Sequence, residues 1–231
     1  LGDVLSEAIE QRMAGADILA VNVDIPNMDG KTTMPNIVRE IQGVVNLPLQ
    51  LESCHAAALE AGARVYNGKP LIRWAGGRFG SMRSIFHIAK KYGACIVGLT
   101  VDDKGAAASC AHCLAIAKRI VHEAQDYGIP KEDIIIDCVI EDALAHPNKI
   151  MEKLEAIRRI KGELGVKTTM EIDRACAGLP KRGLIDRTFL AMALAYGVDA
   201  PVLDPLCSEM METIHAFKVL AGQESRSRQS H

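Results

Sequence analysis

The stretch Ile172–Leu194, IDRACAGLPKRGLIDRTFLAMAL, decides how the rest of the chain is interpreted. It overlaps the end of an apolar, β-branched run at Val166–Ile172, VKTTMEI, which is typical of a buried strand. Its glycine- and proline-bearing middle predicts a loop, and its second half predicts a helix with basic residues near its start. A charged loop between a buried strand and a helix N-terminus is where parallel α/β proteins place their ligands. The charged candidates in this loop and helix are Asp173, Arg174, Lys181, Arg182 and Arg187.

The same alternation of strand and helix extends outward from this stretch through the whole chain. Apolar runs predict strands, and helix-sized intervals separate each strand from the next. The predicted strands are Ala16–Val23, Leu47–Glu52, Lys69–Trp74, Ala94–Thr100, Asp133–Cys138, Val166–Ile172 and Asp199–Asp204. The predicted helices lie near Leu1–Met13, Met34–Gly43, His55–Ala61, Met82–Tyr92, Ala108–Tyr127, Asn148–Glu163, Gly183–Tyr196 and Ser208–Leu220.

This order predicts a parallel sheet with right-handed crossovers. A closed (β/α)8 barrel has eight strands, whereas this chain opens on a helix and carries seven, so we expect strand one to lie upstream of Leu1. The alternative is an open doubly wound sheet, but no GxGxxG turn follows an early strand. We therefore predict an α/β fold, a (β/α)8 TIM barrel whose first strand is missing from the chain. The barrel domain would cover residues 1–222, with a polar tail at 223–231.

Composition limits the classes of partner. The 231 residues carry 27 basic and 29 acidic side chains, a formal net charge of −2, which argues against a nucleic-acid groove. The sequence has no uncharged apolar run of membrane-spanning length and no visible signal peptide. Its seven cysteines are odd in number and scattered, which favours reduced thiols over a disulfide framework. We expect a cytoplasmic protein without nucleic-acid or membrane partners.

Polar residues stand where the apolar runs stop. In a barrel, the carboxyl ends of the strands form the active face. The residues at these ends are Asn22, Asp24, Glu52, Ser53, Arg73, Thr100–Lys104, Asp137, Glu171–Arg174 and Asp204. Several carboxylates converging with Asn22, Arg73 and Arg174 suit a polar, planar ligand with many heteroatoms better than a bare phosphate.

Six segments carry a family resemblance: AGADILAVNV, LPLQLES, ALEAGARVYNGKPLI, KKYGACIVGLTVDDKG, YGIPKEDIIIDC and GLPKRGLIDRTFLAMALAYGVDAPVLDPL. From about Gly15 to Gly222 the chain resembles, in register, the pterin-binding barrel family. The resemblance is to its methyltetrahydrofolate:corrinoid methyltransferases and to the folate domain of cobalamin-dependent methionine synthase, with dihydropteroate synthase more distant. It implies an enzyme that moves a methyl group between N5 of methyltetrahydrofolate and the cobalt of a corrinoid carried by a partner protein or domain.

The resemblance also implies roles for individual residues. Asp137 and Asn22 would hold the pterin ring, and Glu52 would supply a second carboxylate. The implied catalytic residues are Asp137, Asn22 and Arg174. The implied substrate-binding residues are Glu52, Ser53, Arg73, Asp102, Asp137, Asp173, Arg182 and Arg187.

The chain departs from the family pattern at the mouth of the predicted barrel. Glu52 replaces an aspartate, Arg73 and Arg174 each replace an asparagine, and Ala20 replaces an acid. Two Asn-to-Arg changes add bulk and charge where a neutral pterin would lie. The alternatives are a more anionic or oxidised ligand, or a barrel that docks a corrinoid protein without binding folate. In the latter case the arginines would pair with neighbouring acids and fill the pocket.

Weaker patterns bear on metal binding and self-association. Cys110 and Cys113 form a CxxC on a predicted helix, but no second ligand pair follows at a zinc-site spacing. A thiolate-rich zinc site at the mouth is the open alternative, built from Cys54, His55, Cys138, His146 and Cys207; their spacing is irregular, and we predict no metal site. The helix Ile185–Tyr196 is apolar on most faces, which together with the family resemblance predicts a homodimer.

Overall fold

The chain folds into a parallel sheet with helices packed around it. A computed structural model describes residues 2–74, 82–140, 148–175 and 181–223. The strands are β1 Leu19–Asn22, β2 Leu49–Ser53, β3 Leu71–Trp74, β4 Cys95–Leu99, β5 Val101–Asp102, β6 Gly105–Ala106, β7 Ile134–Asp137, β8 Lys167–Glu171 and β9 Ala200–Val202. The helices are α1 Gly2–Met13, α2 Gly30–Val44, α3 Ala56–Val65, α4 Met82–Tyr92, α5 Cys110–Asp126, α6 Asn148–Leu164, α7 Ile172–Ala175, α8 Arg182–Tyr196 and α9 Ser208–Leu220.

The strand order identifies the barrel architecture. Seven strands pair in the order β1-β2-β3-β4-β7-β8-β9, and every neighbouring pair is parallel. A doubly wound sheet would reverse its order at a switch point, whereas this sheet advances in one direction throughout. Within the described residues the sheet ends at β1 on one side and β9 on the other. This is the predicted (β/α)8 arrangement without its first strand, and the prediction is confirmed.

The core lies between the sheet and the surrounding helices, which approach closely at two glycines. Leu49, Gln50 and Leu51 are consecutive in β2 and all three are buried, as expected for a strand covered on both faces. A Cβ on Gly62 of α3 would lie 2.6 Å from a side-chain carbon of Met34 on α2, so only glycine allows this contact. A Cβ on Gly98 of β4 would lie 2.7 Å from a side-chain carbon of α5, with the same consequence.

The TVDDKG loop and the end of β8 differ from the sequence prediction. The predicted loop TVDDKG contains the antiparallel pair β5–β6, which closes because the Asp102 carboxylate accepts the Lys104 N–H at 2.8 Å and Gly105 adopts a φ of +108°. The predicted strand Val166–Ile172 ends one residue early, because Ile172 already begins the helical turn α7. The predicted basic helix starts at Arg182, in agreement with the sequence.

Helix α2 begins at Gly30, earlier than the predicted Met34. Asp29 caps it, since its carboxylate accepts the Lys31 N–H at 3.2 Å and the Thr32 hydroxyl at 2.6 Å. The first turn carries no apolar periodicity, so hydrophobic spacing detects the helix only from Met34 onward.

No helix in the described part of the chain combines the length and apolarity needed to cross a bilayer. The predicted tail at 223–231 lies outside the described residues beyond Gln223, and its boundary stays a prediction.

Candidate active site at the carboxyl ends of the strands

Three predicted site residues lie in one row across adjacent strands. Asn22 of β1 pairs in register with Glu52 of β2, and Glu52 pairs with Arg73 of β3. Each residue ends or nearly ends its strand, so the row marks the mouth of the barrel. Asp137 ends β7 and pairs in register with Leu99 of β4. The topology therefore brings residues from four strands to one end of the sheet.

A buried ion pair joins Arg73 to Asp137. The Arg73 Nη2 donates to Asp137 Oδ2 at 2.8 Å, and Nε donates to the same oxygen at 3.2 Å. The Arg73 side chain is 15% exposed and that of Asp137 only 2%, so the pair is shielded from solvent. Asp137 Oδ1 is buried and has no hydrogen-bond partner among the described residues. Within the described part of the chain, the carboxylate thus keeps one oxygen without a hydrogen-bond donor.

Glu52 extends the same network. Its Oε1 accepts from Gln50 Nε2 at 2.6 Å and lies 3.7 Å from Arg73 Nη1. Its Oε2 accepts from Asn22 Nδ2 at 3.5 Å. Asn22, Glu52, Arg73 and Asp137 therefore form a continuous polar chain across the mouth.

The network carries more negative than positive charge. Burial raises the pKa of Asp137 above its ordinary value, and the nearby Glu171 and Glu52 add to this effect, while Arg73 opposes it. For Arg73, burial disfavours the charged form, but Asp137 and Glu52 outweigh it and raise its pKa. Arg73 stays a cation, and it faces three carboxylates in a largely desolvated setting.

A second cluster surrounds the start of α8. A cavity of about 500 Å³ opens there, between the first turns of α8 and the segment that leads into α9. Its charged lining residues are Asp173, Arg182, Asp186, Arg187, Asp204 and Glu209. This cavity contains three of the residues predicted from the opening stretch of sequence.

Internal contacts already engage the arginines of this cavity. Arg182 donates from Nε to Asp186 Oδ2 at 3.1 Å and from Nη2 to the Asp173 backbone carbonyl at 2.9 Å. Arg187 donates from Nε to the Gly183 carbonyl at 3.2 Å. Asp186 is buried, and its Oδ1 lacks a partner in the described residues. Asp186 was not predicted as a site residue, although an acid among the apolar residues of LIDRTF was a usable signal.

Asp173 joins this second cluster to the segment that follows β9. Its Oδ2 accepts the Asp204 N–H at 2.8 Å. Burial raises the pKa of Asp173, opposed by that hydrogen bond and reinforced by the nearby Asp186. The cavity is therefore acidic overall, as is the mouth network.

Ser53 and Asp102 are engaged in contacts of their own. Ser53 is fully buried and donates from Oγ to Asp24 Oδ1 at 2.7 Å. Burial opposes ionisation of Asp24, but hydrogen bonds from Ser53 and the Cys54 N–H outweigh it and hold its pKa below the usual range. Asp102 contacts His112 Nε2 of α5 at 2.9 Å, so it ties the β5–β6 hairpin to that helix. Asp24 and Gln50 organise the strand ends without having been assigned a role from sequence.

Other candidates are placed as follows. The side chain of Arg174 and the whole of His146 lie outside the described residues. Trp74 is 8% exposed and sits beside Arg73 at the end of β3. Cys110, Cys113 and Cys138 are buried, whereas Cys54 and Cys207 are exposed. The CxxC cysteines are thus packed in the core.

Comparison with known proteins identifies the family of this chain. The model of the family described as "Pterin binding enzyme" matches residues 1–201. Methionine synthase from Mycobacterium leprae (strain TN) is 26% identical over 229 residues, which cover 94% of this chain and 18% of that protein. Methylcorrinoid:tetrahydrofolate methyltransferase from Eubacterium limosum is 26% identical over 231 residues, covering 96% of this chain and 83% of that protein. The chain thus spans about a fifth of methionine synthase and most of the second relative.

Solved structures agree on the fold. Dihydropteroate synthase from Xanthomonas albilineans in complex with 7,8-dihydropteroate matches with a TM-score of 0.74 at 13% identity, covering 94% of this chain and 84% of that one. Dihydropteroate synthase from Thermus thermophilus matches with a TM-score of 0.69 at 18% identity, covering 94% of this chain and 88% of that one. At these identities the likeness supports the barrel architecture alone.

Proposed function

The chain belongs to the pterin-binding enzyme family, and from that premise we propose that it is a methyltransferase acting between N5 of a tetrahydrofolate and the cobalt of a corrinoid protein. Relatives with methyltransferase and methionine synthase names support this class. The observation that carries the proposal is Asp137, whose buried Oδ1 has no partner among the described residues at the carboxyl end of β7. An orphaned buried acceptor is costly unless a ligand supplies the donor.

The residues present fit a pterin ring. Its exocyclic amino group and ring N–H are hydrogen-bond donors to which a carboxylate is a good acceptor, and Asp137 Oδ1 would be that acceptor. Arg73 already holds Oδ2, so a ring that needs both oxygens must share Oδ2 with Arg73 or displace it. Glu52 supplies a second carboxylate in the same row, steadied by Gln50 and Asn22.

The charge of the mouth suits the chemistry of N5. A tertiary amine is a poor leaving group, so transfer needs positive charge at nitrogen to be stabilised by positioned groups. The three carboxylates around Arg73 supply such a field in a desolvated site. A bound corrinoid supplies a cobalt centre that accepts or gives the methyl group. We assign Asp137, Asn22 and Arg174 to the reaction, with Asp102, Asp173, Arg182 and Arg187 contributing to substrate binding.

The partners follow from the same proposal. The corrinoid protein or domain would approach the carboxyl face of the barrel, where the strand ends carry their polar side chains. We also propose a cytoplasmic location and a homodimer, the latter because α8 is apolar on most of its faces.

The ion pair between Arg73 and Asp137 favours a second candidate. Arg73 pairs with Asp137 and Glu52, which is the closed arrangement expected if the pocket were filled by its own side chains. In that case the barrel would dock a corrinoid protein without binding folate, or would take a ligand of different charge. Arg73 is therefore the residue on which the two functions diverge.

Trp74 allows the two functions to be separated. It is the only tryptophan and lies beside Arg73, so its fluorescence reports on the mouth. The test titrates methyltetrahydrofolate and tetrahydrofolate, separately, into the protein and measures the quenching of Trp74 fluorescence and the heat of binding. We expect both to bind the wild type and Asp137→Asn to abolish binding. Asp133→Asn is the matched control, because Asp133 precedes the opposite end of β7 and pairs with Lys69.

Arg73→Asn adds a direct test of competition for Asp137. If Arg73 competes with the ring, removing it tightens folate binding; if the ring uses Arg73, binding weakens. Absence of heat and quenching with both folates in wild type and Arg73→Asn would refute the methyltransferase proposal. Binding of a methylated corrinoid protein under those conditions would then support the docking barrel.

A further inference from the structure

A separate cluster of side chains stands at the ends of β1 and β2. It consists of Asp24, Cys54 and His55, each of which offers one ligand atom within 4.8 Å of the other two. All three residues are exposed, so a dissolved ion can reach them. It is the only such group among the described residues. The cluster is distinct from the ion pair of Arg73 and Asp137, although it lies at the same end of the barrel.

The chain holds this cluster through a buried anchor. Ser53 is fully buried, donates to Asp24 Oδ1 at 2.7 Å, and accepts the His55 N–H at 3.0 Å. The Cys54 N–H donates to Asp24 Oδ2 at 2.6 Å, and the Asp24 N–H donates to Asn22 Oδ1 at 2.8 Å. The turn at 53–55 therefore wraps around the carboxylate and sets the thiol and imidazole beside it. Such supporting hydrogen bonds are what orient metal ligands in proteins.

Each side chain keeps donor capacity for a metal. A carboxylate oxygen has two lone pairs, so each Asp24 oxygen can accept its present hydrogen bond and still coordinate. His55 precedes α3, and its side chain makes no hydrogen bond to the first turn of that helix. Its ring is therefore not used as a helix cap. Cys54 is a free thiol at the surface.

The donor set selects the metal. A thiolate with an imidazole and a carboxylate suits zinc, whereas magnesium and calcium prefer oxygen alone. Tetrahedral zinc with bonds of roughly 2.0–2.3 Å places its ligand atoms roughly 3.3–3.8 Å apart. The exposed side chains of the cluster need to close by no more than roughly 1.5 Å to reach this geometry.

We propose that Asp24, Cys54 and His55 form a zinc site at the mouth of the barrel. Three protein ligands leave a fourth position for water or an added ligand, which is the pattern of reactive zinc sites. This differs from the thiolate-rich alternative raised by the sequence, because Asp24 takes the place of Cys138, His146 and Cys207 beside Cys54 and His55. The site does not depend on folate binding.

The test uses the full chain freed of metal by a chelator and titrated with Zn²⁺ and, separately, Co²⁺. We expect one equivalent per chain and, with Co²⁺, a thiolate-to-cobalt charge-transfer band. Cys54→Ser should remove the band and weaken Zn²⁺ binding by roughly tenfold or more. His55→Ala should weaken binding similarly. Cys207→Ser is the matched control, since Cys207 is also exposed, and should leave both signals unchanged.

Several outcomes would overturn the proposal. These are no stoichiometric binding, binding without a charge-transfer band, or a band that survives in Cys54→Ser. Circular dichroism of each variant checks the fold, and loss of the band in Cys54→Ser with a native spectrum identifies Cys54 as a ligand. Loss of the charge-transfer band in Cys207→Ser instead would assign the metal site to the thiolate-rich set raised by the sequence, and it would overturn the proposal.

Discussion

Replacing Arg73 with methionine tests whether the ion pair at the mouth is as buried as its geometry indicates. Methionine keeps the length and apolar stem but removes both hydrogen bonds to Asp137, at 2.8 and 3.2 Å. The Asp137 side chain is 2% exposed, so its charge would be left without the only cation paired to it in the described residues. Breaking such a pair costs about 3–5 kcal/mol. We expect the free energy of unfolding to fall by about that amount at neutral pH.

The loss should depend on pH in a defined direction. Burial already raises the pKa of Asp137, and removal of Arg73 raises it further. A group with a raised folded-state pKa contributes stability that is present below its unfolded pKa and lost as pH rises through the folded pKa. The free energy of unfolding of Arg73→Met should therefore be close to that of the wild type at acidic pH and become lower than it as the pH approaches neutrality.

Urea denaturation at a series of pH values measures this effect. The partner variant Asp137→Asn and the double variant complete a cycle that isolates the pairwise energy. The double variant should recover much of the stability lost in Arg73→Met, because the most deeply buried charge, that of Asp137, is removed as well. A cost below about 1 kcal/mol, or a loss that does not vary with pH, would refute the claim that the pair is desolvated.

Two further predictions concern packing and the opposite end of the barrel. Gly98→Ala should lower the free energy of unfolding by about 1–3 kcal/mol in urea denaturation, because the new Cβ would lie 2.7 Å from a side-chain carbon of Ile120. Gly43→Ala is the control, since no atom lies within 4 Å of its new Cβ. It should leave the free energy of unfolding unchanged or raise it by up to about 1 kcal/mol. Burial raises the pKa of Asp199, but hydrogen bonds from Lys161 and the Thr168 N–H, together with the charges of Lys161 and Lys167, outweigh it and hold the pKa below its usual range. The stabilisation from Asp199 is therefore present above its unfolded pKa and lost as the pH falls through the folded pKa. Asp199→Asn should cost about 1–3 kcal/mol at neutral pH and flatten the acid limb of the stability curve; an unchanged limb would contradict the role assigned to that ion pair.

The fold was predictable because the sequence of a buried parallel strand is a nearly continuous apolar run. Strands such as β2 and β7 lie close to their predicted ranges for this reason. The start of α2 and the turn α7 were not predicted, since a cap at Asp29 and a helical turn after β8 leave no apolar periodicity. The hairpin β5–β6 depends on a side-chain turn at Asp102, which hydropathy cannot detect.

The candidate site was predictable as a set of strand ends but not as a set of contacts. Arg73 and Asp137 are 64 residues apart, and their contact depends on the stagger of β3, β4 and β7. Register links Arg73 to Val97 and Val97 to Ile135, so Asp137 lies two residues nearer the mouth, within reach of a long side chain. The strand order could be inferred from the sequence, whereas the two-residue offset between Arg73 and Asp137 depends on the register of the strands.

The pairing of Arg73 with Asp137 decides what the mouth requires of a ligand. In the protein as described, Asp137 Oδ2 is satisfied by Arg73 and Oδ1 is not, so the carboxylate is only half used. A neutral ring that takes both oxygens must loosen the ion pair and leave the Arg73 charge without its partner in a buried setting, which costs several kcal/mol. A ligand that takes Oδ1 alone adds a hydrogen bond without removing one. The second mode keeps Arg73 in place, facing the ring, and retains the acid surplus of Glu52 and Glu171 around it. We therefore expect a ligand to bind with the ion pair intact, so that Arg73 lies beside the ligand and does not compete with it for Asp137.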